Sequence, residues 1–237
     1  MCSLVVARGL RGGPGLFVIH NRDEQLSRPS APPMRWERGE REILAPRDLK
    51  AGGTWLGLND RGVVAAITNR YRSRPASEHR SRGELPVMAL EAESAREGAE
   101  RVAKVGAGEY GGFHLVVADE AETFVVWNDQ EEVRLQEVEQ AVLVMTERGL
   151  GAARSRRYEM LVGAMEGVEE WPEEGEEFFR GWMQITDEED PLEGTCICSG
   201  PVYGTKCSAV IVVDEGAARF EYADGPPCRV GYSVVVG

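Results

Sequence analysis

The chain opens with two short apolar runs, residues 2–7 and 15–20, on either side of a segment rich in glycine and proline. Glycine and proline at such a position favour a turn, so the two runs are predicted to pair as a β-hairpin. The same arrangement recurs at residues 55–58 and 63–68, around the polar turn 59–62, and it predicts a second hairpin.

Helices are predicted in the middle of the chain. Apolar residues recur at a spacing of three and four along residues 84–104, which indicates an amphipathic helix. Residues 152–165 and 173–183 are predicted as two further helices. Glutamates crowd the segment 166–190 around several aromatic residues, and we expect a solvated acidic face with the aromatic side chains turned inward.

The other segments indicate sheets. Further strands are predicted at residues 113–118, 123–127, 141–145, 195–199, 209–213, 219–222 and 232–236. The short Pro-rich segment 28–33 is predicted as a rigid turn. Strands, then helices, then strands suit two packed sheets with helices outside them. No repeat or low-complexity linker marks a boundary, so residues 1–237 are expected to form a single domain.

Composition argues against some kinds of binding partner and against a membrane span. A net charge of −13 argues against nucleic acid, because phosphate binding depends on clustered lysine and arginine. The longest apolar runs fall far short of the roughly 20 residues that cross a membrane. No secretory leader precedes position 2, so we expect a cytoplasmic protein. The oligomeric state is not indicated.

The cysteines also bear on location and metal binding. Five cysteines, an odd number, fit a reducing compartment better than a disulfide framework. Cys196 and Cys198 have C-x-C spacing, but neither a second pair nor a histidine tract accompanies them. This spacing alone is weak evidence for zinc, so the sequence predicts no metal site.

A cysteine directly follows the initiator methionine. Removal of Met1 would leave Cys2 with a thiol and an α-amine, whose ordinary pKa of about 7.7 to 8.0 lets it act as a base near neutral pH. In an N-terminal nucleophile the amine takes the thiol proton, and the thiolate attacks an acyl carbon. The alternative is that Cys2 is a small buried residue of the first strand.

The second apolar run is followed by Asn-Arg-Asp-Glu at residues 21–24. If the first two strands are antiparallel neighbours, Cys2 and Asp23 lie close together near one end of the sheet. A carboxylate at this place could hold and orient a protonated amine.

Several unrelated motifs follow one another in a fixed order. They are Met1-Cys2, Asn21-Arg22-Asp23-Glu24 with Arg28-Pro29, Gly52-Gly53-Thr54-Trp55-Leu56-Gly57, Ala66-Ile67-Thr68-Asn69, Ser81-Arg82-Gly83-Glu84-Leu85 and Tyr203-Gly204-Thr205. In these motifs the sequence resembles the NRDE family, also called the transport and Golgi organisation protein two family. The resemblance covers nearly the whole chain.

This resemblance implies an α+β fold, a four-layer αββα sandwich of the N-terminal nucleophile hydrolase type. Such a fold has two stacked, mainly antiparallel sheets with helices outside, and is most similar to the choloylglycine and penicillin acylase branch. The resemblance also implies roles: Cys2 as nucleophile and base, Asp23 as the residue that holds the α-amine, and Asn69 as an oxyanion donor.

The chain departs from the pattern of its relatives at three positions. His20 and Lys206 stand where arginines are usual, and Glu147 stands where the acylases have an asparagine. Lysine keeps the charge but loses the planar fork that grips a carboxylate. A carboxylate at position 147 is expected to repel an oxyanion that an amide would stabilise.

An arginine-rich segment, residues 70–82, follows Asn69. It is either a solvated loop or a rim that receives an anionic ligand such as a carboxylate, phosphate or propionate. Substrate contacts are expected from His20, Asn21, Arg22, Arg70 and Lys206.

Two functions are compatible with these features. The first is a cysteine amidase or acyl hydrolase that acts on a small or lipid-like acyl substrate through Cys2. The second is an intracellular carrier of haem or of acyl-CoA or lipid, without catalysis. No cofactor is expected, except haem as a carried ligand, for which His20 is the first ligand to test among three histidines.

Overall fold

The structure is a computed structural model that describes residues 2–73, 78–149 and 155–236. Arg74 of the arginine-rich segment and the start of the helix predicted at 152–165 lie outside these ranges. The chain divides into two compact units. The first combines both ends of the chain, Met1–Arg28 and Gln140–Gly237, and the second is Pro29–Glu139.

The strands and helices of the described residues follow one another in this order: β1 (Cys2–Arg8), β2 (Leu16–Gln25), β3 (Ser30–Arg38), β4 (Arg41–Asp48), β5 (Leu56–Asn59), β6 (Val64–Asn69), α1 (Glu84–Leu90), α2 (Ala95–Val102), β7 (Phe113–Ala118), β8 (Thr123–Asn128), β9 (Val133–Glu137), β10 (Val142–Thr146), α3 (Arg156–Met165), α4 (Glu176–Trp182), β11 (Tyr203–Asp214), β12 (Ala217–Ala223) and β13 (Ser233–Val236). Within the described ranges no helix is long and apolar enough to cross a membrane.

The first unit is built on a sheet in the order β10-β1-β2-β11-β12-β13. All neighbouring strands are antiparallel. The predicted hairpin of β1 and β2 is confirmed, with Ala7 opposite Phe17 and Cys2 opposite Arg22. Strand β11 carries a bulge between Thr205 and Cys207, so its pairing with β2 shifts there by one residue.

One face of this sheet packs against the helices of the first unit. Phe17 of β2 contacts Phe179 of α4, with ring centroids 4.9 Å apart, and Trp171 lies against both rings. The core around them is formed by Val5, Ala7, Leu10, Ile19, Val144, Leu161, Met165, Met183 and Val210. The acidic segment therefore turns its aromatic residues inward, as predicted, because apolar burial stabilises the helix on that side.

The second unit is a seven-stranded antiparallel sheet in which β3 to β9 follow one another in chain order. Helix α1 lies against β5 and β6, and α2 lies against β7 and β8. The single helix predicted over residues 84–104 is wrong, since two helices cover this range. Ser94 starts the second one, because its hydroxyl accepts a hydrogen bond from the Glu97 backbone N–H at 3.3 Å.

Two further predictions need correction. Residues 28–33 are not only a turn, because β3 begins at Ser30 and includes Pro32 and Pro33. Both prolines are tolerated because β3 is the edge strand and its pairing shifts between Ala31 and Met34. Residues 195–199 form no strand, although the Ile197 backbone is hydrogen-bonded to Thr205.

Candidate functional site

Cys2 is the first residue of β1, and its side chain is only 7% exposed. It lies opposite Arg22, the neighbour of Asp23, so the prediction that Cys2 and Asp23 lie close at one end of the hairpin is confirmed. Residues 21–24 are part of β2 and do not follow its end. Since side chains alternate along a strand, Cys2 shares a face with Arg22, while Asp23 points to the helix-packed face.

Two side chains from distant parts of the sequence donate hydrogen bonds to the Asp23 carboxylate. Arg157 of α3 donates to Asp23 Oδ2 at 3.0 Å, and the Thr205 hydroxyl donates to Asp23 Oδ1 at 2.7 Å. The same guanidinium donates to Glu147 Oε2 at 2.5 Å. One buried cation thus bridges two buried carboxylates at the end of the sheet that holds Cys2.

Helix α3 positions the arginine. Ser155 caps the helix by accepting a hydrogen bond from the Tyr158 backbone N–H at 3.2 Å, and the Arg157 backbone N–H donates to the Glu193 carboxylate at 3.0 Å. Arg157 is only 1% exposed, and a buried arginine requires ionic partners, which its two terminal nitrogens have in Asp23 and Glu147. The guanidinium therefore has a fixed position relative to β2.

Burial controls the ionisation of the site. It raises the pKa of the Cys2 thiol, and the Arg22 guanidinium opposes that rise. Burial also raises the pKa of the Asp23 carboxyl, against the opposing charge of Arg157. Burial would lower the pKa of Arg157, but Asp23 and Glu147 raise it above the usual value, so the guanidinium stays charged.

The charge of Glu147 is compensated by arginines. This residue is 4% exposed, follows β10 directly, and is paired with Arg157 and, at 3.5 Å, with Arg148. The expected repulsion of an oxyanion by this carboxylate stays a prediction.

Sequence reasoning missed Arg157. In the sequence it is one of two consecutive arginines in a polar helix start, and nothing local distinguishes it from its exposed neighbour Arg156. The available signal was the pair of acidic residues, Asp23 and Glu147, each of which stands shortly after a predicted strand. Two such carboxylates require a cation.

Three expected substrate contacts lie on β2, and all three are buried. His20 is 1% exposed, and burial followed by the charge of Arg22 lowers its pKa to about 3. The Asn21 side chain donates to the backbone carbonyls of Met183 and Thr195, both at 2.8 Å, so it ties the end of α4 to the sheet. Arg22 is 4% exposed and shares its face with Cys2.

The other predicted residues lie elsewhere. Lys206, at the bulge of β11, donates to the Leu26 carbonyl at 2.9 Å. Asn69 is exposed at the end of β6 in the second unit, and Arg70, partly buried, follows it.

Two arginines of the same segment are engaged within the second unit. Arg80 forms ion pairs with Glu84 and Glu109, and Arg82 donates to the Gly112 carbonyl at 3.0 Å. The side chains of Arg80 and Arg82 therefore already bind groups of the protein itself.

Comparison with solved structures supports the fold. A mutant conjugated bile acid hydrolase from Clostridium perfringens is similar over 99% of this chain and 92% of that chain, with a TM-score of 0.60 and 10% identity. Penicillin V acylase from Agrobacterium tumefaciens is similar over 99% and 86%, with a TM-score of 0.56 and 13% identity. An N-acylethanolamine-hydrolyzing acid amidase orthologue from Caenorhabditis elegans covers 89% and 92%, with a TM-score of 0.55 and 13% identity.

These structures are similar to the chain in fold, and at such identities they show the fold alone. The predicted α+β fold of the N-terminal nucleophile hydrolase type, with mainly antiparallel sheets, is confirmed.

Comparison of sequences identifies relatives. The chain is 36% identical over 107 residues to the Transport and Golgi organization 2 homologues of Mus musculus and Homo sapiens. This match covers 44% of the chain and only 38% of each relative. The family model of Transport and Golgi organisation 2 matches residues 1–224, and the chain therefore belongs to this family.

Proposed function

We propose that the protein is a cysteine hydrolase of amides or thioesters, with Cys2 as its nucleophile. The observation that carries this proposal is the buried Asp23 carboxylate, fixed by Arg157 and Thr205 at the end of the hairpin where Cys2 begins β1. A carboxylate held in one orientation beside the first strand residue is suited to bind the α-ammonium that removal of Met1 would create.

The proposed reaction uses groups of this chain. The Cys2 amine takes the thiol proton, and the thiolate attacks the acyl carbon, which creates an oxyanion that hydrogen-bond donors must stabilise. The leaving amine or thiol departs with that proton, and a thioester forms on Cys2. Water then cleaves the thioester, which releases the acid and restores the thiol.

The comparisons support this chemistry by analogy. Two of the similar structures are named as a hydrolase and an acylase, and a third as an amidase that hydrolyses N-acylethanolamines. We infer a small or lipid-like acyl substrate by the same analogy. A cytoplasmic location, where thiols stay reduced, agrees with the free state of all five cysteines.

Intact-mass spectrometry tests the proposal. The purified protein should have lost Met1, and incubation with an activated acyl ester should add one acyl group that maps to Cys2. The adduct should be absent from Cys2→Ala and present in Cys207→Ala, a matched control, because Cys207 is equally buried on β11. A retained Met1, or an adduct elsewhere, would refute the N-terminal nucleophile.

A second candidate function is carriage of an acyl-CoA, lipid or haem ligand. It is favoured by the burial of the Cys2 thiol, because a raised pKa leaves less of the reactive thiolate. Haem ligation by His20 would require this residue to leave its buried position. Tight retention of a ligand without any adduct on Cys2 would favour the carrier, and a His20→Ala variant with an unchanged haem spectrum would remove His20 as its ligand.

A further inference from the structure

Three cysteine sulfurs of the first unit converge at one place. The Cys196 and Cys228 Sγ atoms are 2.7 Å apart, and the Cys198 and Cys228 Sγ atoms are 3.4 Å apart. All three lie within 4.8 Å of one another, and all are free thiols. Cys196 is buried, whereas Cys198 and Cys228 are half-buried.

Two backbone segments hold these sulfurs in place. The Cys196 backbone N–H donates to the Ile185 carbonyl at 2.9 Å. The Ile197 N–H donates to the Thr205 hydroxyl, and the Ile197 carbonyl accepts from the Thr205 N–H. Cys196 and Cys198 project to the same side of this segment, because both sulfurs contact the Cys228 sulfur. Cys228 lies in a turn closed by hydrogen bonds from the Arg229 and Val230 N–H groups to the Pro226 carbonyl.

All three candidate ligand atoms are cysteine sulfurs, which are soft donors. In the part of the chain that the structure describes, no histidine or carboxylate joins the three sulfurs. Thiolates select thiophilic ions such as Cu⁺ and Zn²⁺ over Mg²⁺ or Ca²⁺, which prefer oxygen ligands. Three sulfurs complete a trigonal site for Cu⁺, whereas tetrahedral Zn²⁺ needs one more ligand, which water can supply.

We propose that Cys196, Cys198 and Cys228 form a binding site for one thiophilic metal ion, Cu⁺ or Zn²⁺. With Zn–S bonds of about 2.3 Å, the sulfurs of such a site lie roughly 3.8 Å apart. Cys196 and Cys228, now 2.7 Å apart, therefore separate by about 1 Å on binding. The family match ends at residue 224, before the third ligand.

The metal site is connected to the candidate functional site by one residue. Thr205 accepts a hydrogen bond from the Ile197 N–H at 2.8 Å and donates one to Asp23 at 2.7 Å. An ion bound by the two cysteines that flank Ile197 stiffens this segment and thereby the orientation of Asp23. The role proposed for the ion is therefore to hold the segment that orients Asp23.

Metal binding is coupled to proton release. Each thiol loses its proton when its sulfur binds the ion, with no change in oxidation state. The affinity must therefore rise with pH.

The test uses reduced, full-length protein. Zn²⁺ and Cu⁺ are titrated separately against a chelator of known affinity, and the bound metal is counted by native mass spectrometry. We expect one ion per chain, a higher unfolding temperature, and protection of Cys196, Cys198 and Cys228 from alkylation. The alkylation measurement needs no variant, so it holds even where a substitution impairs folding.

Variants then assign the ligands. Cys198→Ser and Cys228→Ser should each weaken binding at least tenfold, whereas Cys207→Ala should bind as the parent does. No bound ion, or equal binding by the parent and both ligand variants, would overturn the proposal. A Cys196–Cys228 disulfide in protein that binds no metal after reduction would also overturn it, and would identify the pair as a redox couple.

Discussion

Arg157 donates a hydrogen bond to Asp23 at 3.0 Å, and the exposed fractions of the two side chains are 1% and 0%. Such a pair is costly to bury and more costly to break, since loss of either partner leaves an uncompensated charge in the interior. The pair joins α3 to the strand next to Cys2. The position of the carboxylate in the proposed mechanism therefore depends on a residue 134 positions away in the sequence.

Replacement of Arg157 by methionine should destabilise the protein strongly. The change leaves Asp23 buried without its cation and Glu147 with Arg148 alone, and breaking a buried pair in this way costs about 3 to 5 kcal/mol. Urea denaturation measures the loss. Arg156→Met is the matched control, because Arg156 is 65% exposed and its ion pair with Asp187 is worth at most about 1 kcal/mol. Equal effects of the two substitutions would contradict the role assigned to Arg157.

Removal of the Thr205 hydroxyl should weaken the connection to Asp23. Thr205→Val keeps the shape but leaves the Ile197 N–H without its acceptor and Asp23 without one donor, at a cost of about 1 to 3 kcal/mol. The exposed Thr186→Val should change the free energy of unfolding by less than about 0.5 kcal/mol. If Asp23 holds the α-amine, Thr205→Val also slows acylation of Cys2.

His20 should make the protein sensitive to acid. Its folded-state pKa of about 3 lies below the ordinary value of 6.5, so the unfolded chain takes up the proton first as the pH falls. Stability is therefore lost between about pH 6.5 and pH 3, with a slope of up to about 1.4 kcal/mol per pH unit from this group.

The substitution His20→Leu isolates this effect. Both ring nitrogens lack a hydrogen-bond partner among the described residues, and His20 lies between Leu4 and Ala209 in the sheet, so leucine suits the environment. Urea denaturation at several pH values should show that the free energy of unfolding falls less steeply with decreasing pH in the variant than in the parent. The same acid slope in both proteins would mean that His20 does not titrate as described.

The sequence by itself determined those features that depend on neighbouring residues. Two apolar runs and the turn residues between them predicted the first hairpin, and the order of the motifs predicted the family and hence the fold. The proximity of Cys2 and Asp23 followed from a hairpin, in which pairing partners are fixed by a short turn.

Local sequence patterns gave wrong secondary structure where neighbouring strands and helices determined it. Pro32 and Pro33 fit a strand because β3 is an edge strand. The apolar pattern over residues 84–104 predicted one helix, but the chain breaks before Ser94 and forms two. Neither the neighbour of a strand nor the packing of a helix is encoded in a short window of sequence.

Only the tertiary structure decided which charges and sulfurs meet. Arg157 and Arg156 look alike in the sequence, yet one is buried between two carboxylates and the other is exposed. Cys228 joins Cys196 and Cys198 across 30 or more residues. The physical reason is that the energy of a charge or a metal ligand depends on its distance to partners and on its removal from water, and folding of the whole chain sets both.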